Sequence, residues 1–261
     1  MAKIISWNIN SVRLRLPLLA KLVTQQKPDV ICLQETKAND DVFPLSALTD
    51  LGFAHIAFSG QKSYNGVAIL SKIPFASQRV MQIAGSQDKR HIAVTLEGGV
   101  ELHNFYVPAG GDIPDVTLNP AYDFKLRFVE EMTAWSNNLR KPAIIVGDFN
   151  IAPFEHDVWS HKQLANVVSH TEPEITRLNA LKASGNWCDV ARHFVDEQQK
   201  LYSWWSYRNK DWEKSNRGRR LDHIWVTPNL VSNLQSFDIL KEMRNWESPS
   251  DHVPVIVEIK L

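Results

Sequence analysis

The sequence predicts an α+β fold in which two β-sheets pack together and helices cover the outside. Short apolar runs of strand character recur along the whole chain, and only three segments show helical spacing. Strands and helices follow one another irregularly rather than in strict alternation, which favours mixed layers over a parallel α/β sheet. At 261 residues, with 44% hydrophobic and 22% charged residues, the chain has material for a large core and reads as one domain spanning 1–261.

Taken in order, Lys3–Asn8 reads as a strand, and Ser11 as the N-cap of a helix carrying Val12, Leu16, Leu19, Leu22 and Val23, with Pro17 near its start. Asp29–Leu33 is an apolar strand that ends in Gln34-Glu35-Thr36. From 53 to 107 the pattern is strand-like: Phe53–Phe58, Gly66–Leu70, Phe75–Gln82, His91–Leu96 and Val100–Val107, read as antiparallel neighbours with a Gly98-Gly99 hairpin. Pro108 closes the last of these and leaves Tyr106 near its end.

Asn119–Leu139 has helical spacing in Phe124, Phe128, Met132 and Trp135. The run Ala143-Ile144-Ile145-Val146 then ends in Gly147-Asp148-Phe149-Asn150, a buried strand that delivers an acid and an amide to one side and Phe149 to the core. The same residues also suit an Asx-type turn. Glu174–Ser184 reads as a helix stopped by Gly185. Strands follow at Leu201–Tyr207, Leu221–Thr227, Phe237–Leu240 and Val253–Ile259.

Zero formal net charge excludes a protein coated in basic residues, so a polyanionic partner must meet a local patch. That patch lies between 200 and 220, where seven basic residues face two acids and Tyr202, Trp204, Trp205, Tyr207 and Trp212 are interleaved. Of the adjacent tryptophans, alternation sends one to the core. Cys32 and Cys188 are too few for a disulfide framework. With no leader pattern and no long apolar span, the chain reads as a soluble, cytoplasmic protein without a membrane partner.

Acids recur at strand ends. Were those ends to share one end of a sandwich, Glu35, Asp148, Asp222 and Asp251 would cluster beside Asn8, Asn150 and His252. Such like charges require raised pKa values or a cation, and an oxygen-rich set without zinc-type spacing suits Mg²⁺ or Mn²⁺. The implied chemistry is metal-assisted phosphoester cleavage.

Five ordered motifs carry a resemblance: Trp7-Asn8-Ile9-Asn10, Leu33-Gln34-Glu35-Thr36-Lys37, Gly147-Asp148-Phe149-Asn150, Arg217-Gly218-Arg219-Arg220-Leu221-Asp222 and Ser250-Asp251-His252. From residue 3 to about 259 the chain resembles exonuclease III-type apurinic/apyrimidinic endonucleases of the endonuclease/exonuclease/phosphatase superfamily. The resemblance implies a four-layer α/β sandwich of two packed mixed β-sheets flanked by helices, like deoxyribonuclease I. It implies a monomer that hydrolyses double-stranded DNA on the 5′ side of abasic sites and trims 3′ ends.

By the same resemblance Glu35 is the main metal ligand with Asn8 and Asp251 nearby, and Asp148, Asn150 and His252 border the metal. Asp148 orients or deprotonates the attacking water, Asn150 bonds the attacked phosphate, and His252 paired with Asp222 contacts the phosphate or serves as base. Tyr106 binds or protonates near the scissile group. Trp204 lines a pocket for the flipped-out abasic sugar, with Arg217 and Arg219 on DNA. Four positions depart from the family pattern: Arg219 replaces Trp or Leu, Ala109 an amide, Ser11 a glycine and Asp112 an arginine of some relatives. Two rival readings are a non-catalytic nucleic-acid-binding regulator, which loss of the acids would favour, and a phosphatase acting on inositol phosphates or sphingolipids.

Overall fold

The computed structural model describes residues 1–261. In chain order the elements are β1 (Ala2–Asn8), α1 (Leu16–Gln26), β2 (Val30–Gln34), α2 (Leu45–Asp50), β3 (His55–Ser59), β4 (Val67–Ser71), β5 (Phe75–Arg79), β6 (His91–Leu96) and β7 (Glu101–Tyr106). Then follow α3 (Pro120–Asn137), β8 (Ala143–Asp148), α4 (His161–Leu164), α5 (Glu172–Ser184), β9 (Cys188–Asp189) and α6 (Val190–Phe194). The last part holds β10 (Trp204–Trp205), α7 (Trp212–Ser215), β11 (Gly218–Arg219), β12 (Asp222–Val226), β13 (Leu234–Ile239) and β14 (Val255–Ile259). No helix is long and apolar enough to cross a membrane.

Two six-stranded sheets dominate, ordered β13-β14-β1-β2-β4-β3 and β5-β6-β7-β8-β12-β9. Each has one parallel pair at its centre, β1 with β2 and β7 with β8, and antiparallel neighbours outside. A parallel pair needs a crossover, which α1 and α3 supply. Their facing surfaces bury Ile4, Val30 and Val257 from the first sheet against Leu102, Ile144 and Ile224 from the second. Each such side chain stabilises the fold by about 1.5–3 kcal/mol. Leu19 and Leu22 of α1 cover the outer face of the first sheet, and Phe128, Met132, Leu178 and Leu181 of α3 and α5 that of the second. Helix, sheet, sheet, helix is the four-layer sandwich expected.

Three local readings change. Ser11 is not a helix cap: the backbone continues along the end of β2, Ser11 N–H bonding the Glu35 carbonyl at 2.7 Å, and α1 begins after Arg15 with Pro17 in its first turn. Pro17 fits there because the first helical N–H groups need no partner. The strand series from 53 to 107 is divided between the sheets, since the chain crosses over at Lys72-Ile73-Pro74 between β4 and β5. Leu201–Tyr207 is mostly loop, paired only at Trp204 and Trp205.

Gly147 has φ +141° beside β7, and a Cβ there would lie 1.9 Å from the Phe105 carbonyl oxygen. Gly147→Ala must therefore push two paired strands apart. We expect it to lower unfolding free energy by roughly 3 kcal/mol, read from the denaturation midpoint; an unchanged midpoint would show that the strands adapt freely.

Candidate active site

The site assembles where both parallel pairs end. Asn8 closes β1 and Glu35 follows β2. Across the second sheet the register aligns Tyr106, Asp148 and Asp222 side by side. Asp251 and His252 enter just before β14. Glu35 (φ +49°) and Asn150 (φ +53°) are both left-handed, a turn that re-aims the chain at the strand ends. Asn150 tolerates this readily, whereas Glu35 carries a cost of about 1 kcal/mol.

One amide joins the two sheets here. Asn8 Nδ2 donates to Glu35 Oε1 and to Asp148 Oδ2, each at 2.9 Å, while its oxygen accepts from the Asn10 N–H. The backbone donor fixes the amide's orientation, so Asn8 meets the cluster as a donor. Tyr106 Oη donates to Glu35 Oε1 at 2.9 Å. Asn150 uses both amide hydrogens internally, on the Val107 carbonyl and on Asp148 Oδ2, and its N–H bonds Asp148 Oδ1. Asn150 thus holds Asp148 in place.

Asp222 Oδ2 lies 2.8 Å from His252 Nδ1 and accepts from Ser203 Oγ at 2.6 Å. The other ring nitrogen of His252 stands 3.6 Å from Asp148 Oδ2. Asp251 accepts from Asn10 Nδ2 at 3.1 Å and from Trp204 Nε1 at 2.9 Å. Lys37 bridges Glu35 Oε2 at 2.8 Å and Asn10 Oδ1 at 2.6 Å, linking the Glu35 and Asp251 halves.

These neighbours pull the acids apart in proton affinity. Burial pushes Asp148 up, and with Asp222 and Glu35 repelling its charge against the partial relief of His252 and Asn8 it reaches about 7. Burial alone would depress His252, yet the Asp222 and Asp148 carboxylates prevail and raise it to about 10. For Glu35 burial is outweighed by the Asn8 and Lys37 hydrogen bonds, and it stays below the ordinary range. Asp251 is likewise lowered, burial being overcome by His252, Trp204 and Asn10. Burial and the adjacent Glu35 and Asp148 keep Tyr106 a phenol.

The donor set fits a hard divalent cation. Ligand atoms of Asp148, Asp222 and His252 lie within 4.8 Å of one another, and buried Asp222 Oδ1 has no hydrogen-bond partner. Glu35 and Asp251, both held below the ordinary carboxylate range, add two more anionic oxygens beside this group.

A cleft of about 750 Å³ opens over this cluster, bordered by Glu35, Asn150, Trp204, Arg219, Asp251 and His252. Trp205 is the core-facing tryptophan and Trp204 lines the cleft. Arg217 is exposed at the rim with its guanidinium 4.7 Å from the Trp159 ring centroid. Ala109 and Asp112 also border the cleft, whereas Arg220, counted in the basic stretch, is fully buried. Ser203 and Lys125 lay outside the expected set. Lys125 bonds the Asn150 carbonyl at 2.7 Å and pairs with buried Glu174. A lone serine or a helix lysine gives no sequence signal, although Lys37 stood within a quoted motif.

Residues 5–252 match the family described as Endonuclease/Exonuclease/phosphatase. Exodeoxyribonuclease III of Haemophilus influenzae is 30% identical, covering 99% of this chain and 100% of that protein. An AP endonuclease structure from Archaeoglobus fulgidus superposes with TM-score 0.92 at 30% identity over the full length of both chains. So does a 3′ phosphatase, NExo, from Neisseria bound to a product DNA hairpin, with TM-score 0.92 at 31% identity.

The raised His252 value has a thermodynamic consequence. Its folded form binds the proton more tightly than the unfolded chain, so this stabilisation is complete below 6.5 and is lost as pH rises through about 10. In chelator, unfolding free energy should therefore decline over that window, and less so in His252→Gln; parallel curves for the two proteins would contradict the assignment.

Proposed function

The chain belongs to the endonuclease/exonuclease/phosphatase family, and from that premise we propose how its site acts as a divalent-metal-dependent DNA repair nuclease with activity at 3′ ends. The substrate we propose is double-stranded DNA carrying abasic sites, cut on the 5′ side, or 3′ ends to be trimmed. The observation that carries the reading is the convergence of Asn8, Glu35, Asp148, Asp222 and His252 from both sheets in one hydrogen-bonded cluster. A regulator lacking catalysis would have no use for these buried, mutually repelling carboxylates.

Glu35 and Asp251 would hold Mg²⁺ or Mn²⁺, the Asn8 amide orienting Glu35 from beside them. Bound there, the cation would screen the phosphate charge and stabilise the leaving oxygen. Asp148 is the base: at about 7 it is poised to accept a proton from water near neutral pH, and Asn8 and Asn150 fix its direction. His252, kept protonated by Asp222, points a charged N–H at the phosphate. Ser203 holds Asp222, and Tyr106 remains a neutral donor. Trp204 and exposed Arg217 line the path of the strand and its flipped-out sugar.

The test is incision of a labelled duplex with one abasic site. With Mg²⁺ or Mn²⁺ the native chain should cut 5′ of the lesion, and chelator should abolish cutting. Glu35→Ala should lose on the order of 10³-fold in rate or more. DNA bound but never cut under any divalent metal would leave the regulator reading in its place.

A further inference from the structure

We infer that Arg219 makes the wall of the substrate pocket a reader of negative charge, so that DNA ends bearing a 3′-phosphate are favoured over abasic sites. The inference rests on the nuclease reading above and concerns which phosphoester that site selects.

Position comes from the strand ladder. Arg219 pairs with Trp204 across β10 and β11, and Trp204 bridges to His252 on its other side. Adjacent strands lie about 4.8 Å apart, so Arg219 stands two strand steps from the catalytic imidazole. Its guanidinium lies 5.4 Å from the Trp204 ring centroid and borders the same cleft as Glu35 and His252.

The side chain is held firmly. One terminal nitrogen, Nη1, donates to the Val168 carbonyl at 2.9 Å and to Ser169 Oγ at 2.6 Å. Ser169 is fixed in turn, its N–H bonding both oxygens of Glu174, a fully buried carboxylate paired with Lys125. A guanidinium has five N–H groups, and Nη1 supplies only two of them. Nε is buried without any partner, and Nη2 makes no protein hydrogen bond. A fixed, half-buried cation with unused donors calls for an anion.

The two candidate substrates differ at this place. Both lose the same leaving group, the O3′ of the upstream nucleotide. In an internal diester the phosphorus also carries the O5′ of the next sugar, which must enter the pocket. A 3′-phosphomonoester has there a terminal oxygen with a second negative charge. In the reaction a water oxygen bonds to phosphorus and the P–O3′ bond breaks. The water's proton passes to the Asp148 carboxylate, which later returns it to solvent, the departing O3′ takes a proton from a solvent water to become a hydroxyl, and the monoester releases inorganic phosphate. Arg219 offsets the extra charge of the monoester. An uncharged abasic sugar would instead press against the cation and leave its donors unmet.

The experiment measures kcat/KM with Mg²⁺ on two matched duplexes, one with a 3′-phosphate at a single-nucleotide gap and one with a single abasic site. The native protein should prefer the 3′-phosphate. Arg219→Leu should reduce the phosphate-to-abasic ratio on the order of 10- to 100-fold, as loss of a charge-assisted contact implies. Arg219→Lys, which keeps the charge without the planar fork, should fall between. Because the ratio is taken within each protein, a partly unfolded variant does not distort it. A native preference for abasic sites, or a ratio unmoved in Arg219→Leu, overturns the inference while leaving the nuclease reading intact. Hydrolysis of neither duplex by the native protein overturns both.

Discussion

Asn8 is the residue through which the two sheets share a site. Its amide nitrogen donates to a carboxylate from each sheet, Glu35 and Asp148. An apolar core gathers two sheets without specifying their alignment, because dispersion and hydrophobic burial are weakly directional. Directional polar links supply what the core lacks. Beneath Asn8, Gln34 Nε2 donates to Asn104 Oδ1 at 2.7 Å, and Asn104 Nδ2 returns to the Leu33 and Ala68 carbonyls at 2.9 Å. All three amides are fully buried, so a slipped alignment would strand their polar atoms.

A second set of buried charges fixes the loops around this centre. Arg220 is wholly enclosed and grips two carboxylates, with Nε and Nη2 on Asp157 at 2.8 Å and Nη1 and Nη2 on Asp189 at 3.0 and 2.9 Å. Replacing such a pair by apolar residues often costs little stability, so its value here is geometric. It ties three separate segments together immediately before Asp222. His223 takes part as well: its Nε2 donates to the Ile151 carbonyl, and burial, aided by Arg220, depresses it to about 4, so it remains neutral. Lys125 and Glu174 do the corresponding work under Asn150 and Ser169.

The site consequently joins a rigid frame to a deliberately unbalanced set of charges. Asp148 and Asp222 are each 1% exposed, and the cations nearest the acids are His252 and Lys37. Such a cluster holds together only where amides, a cationic imidazole and a divalent ion divide the repulsion among them. That division separates Asp148, raised toward neutrality, from Glu35 and Asp251, kept low. In the proposed reaction these two carboxylate environments would serve two roles, one for moving a proton and one for holding a cation.

The strands were legible wherever local pattern matched burial. His91–Leu96 forms over its expected span, and the Val-rich and Ile-rich runs around Ile31, Ile145 and Val257 lie buried in the centres of their sheets. Asn119, with Pro120 after it, marks the start of α3, since cap and first-turn chemistry is written in adjacent residues. The structure brings the acids and His252 of the quoted motifs together at one end of the sandwich. Local pattern misplaced Ser11, whose backbone follows β2 instead of capping a helix, and counted Arg220 in the basic stretch although it is a buried clamp. It gave no sign of Ser203 or Lys125. Periodicity reports which way a side chain points along its own element, whereas those roles depend on which distant segment lies opposite. Asn8 and Asp148 are 140 residues apart yet share one hydrogen bond, and only the packing of one sheet on the other brings them into contact.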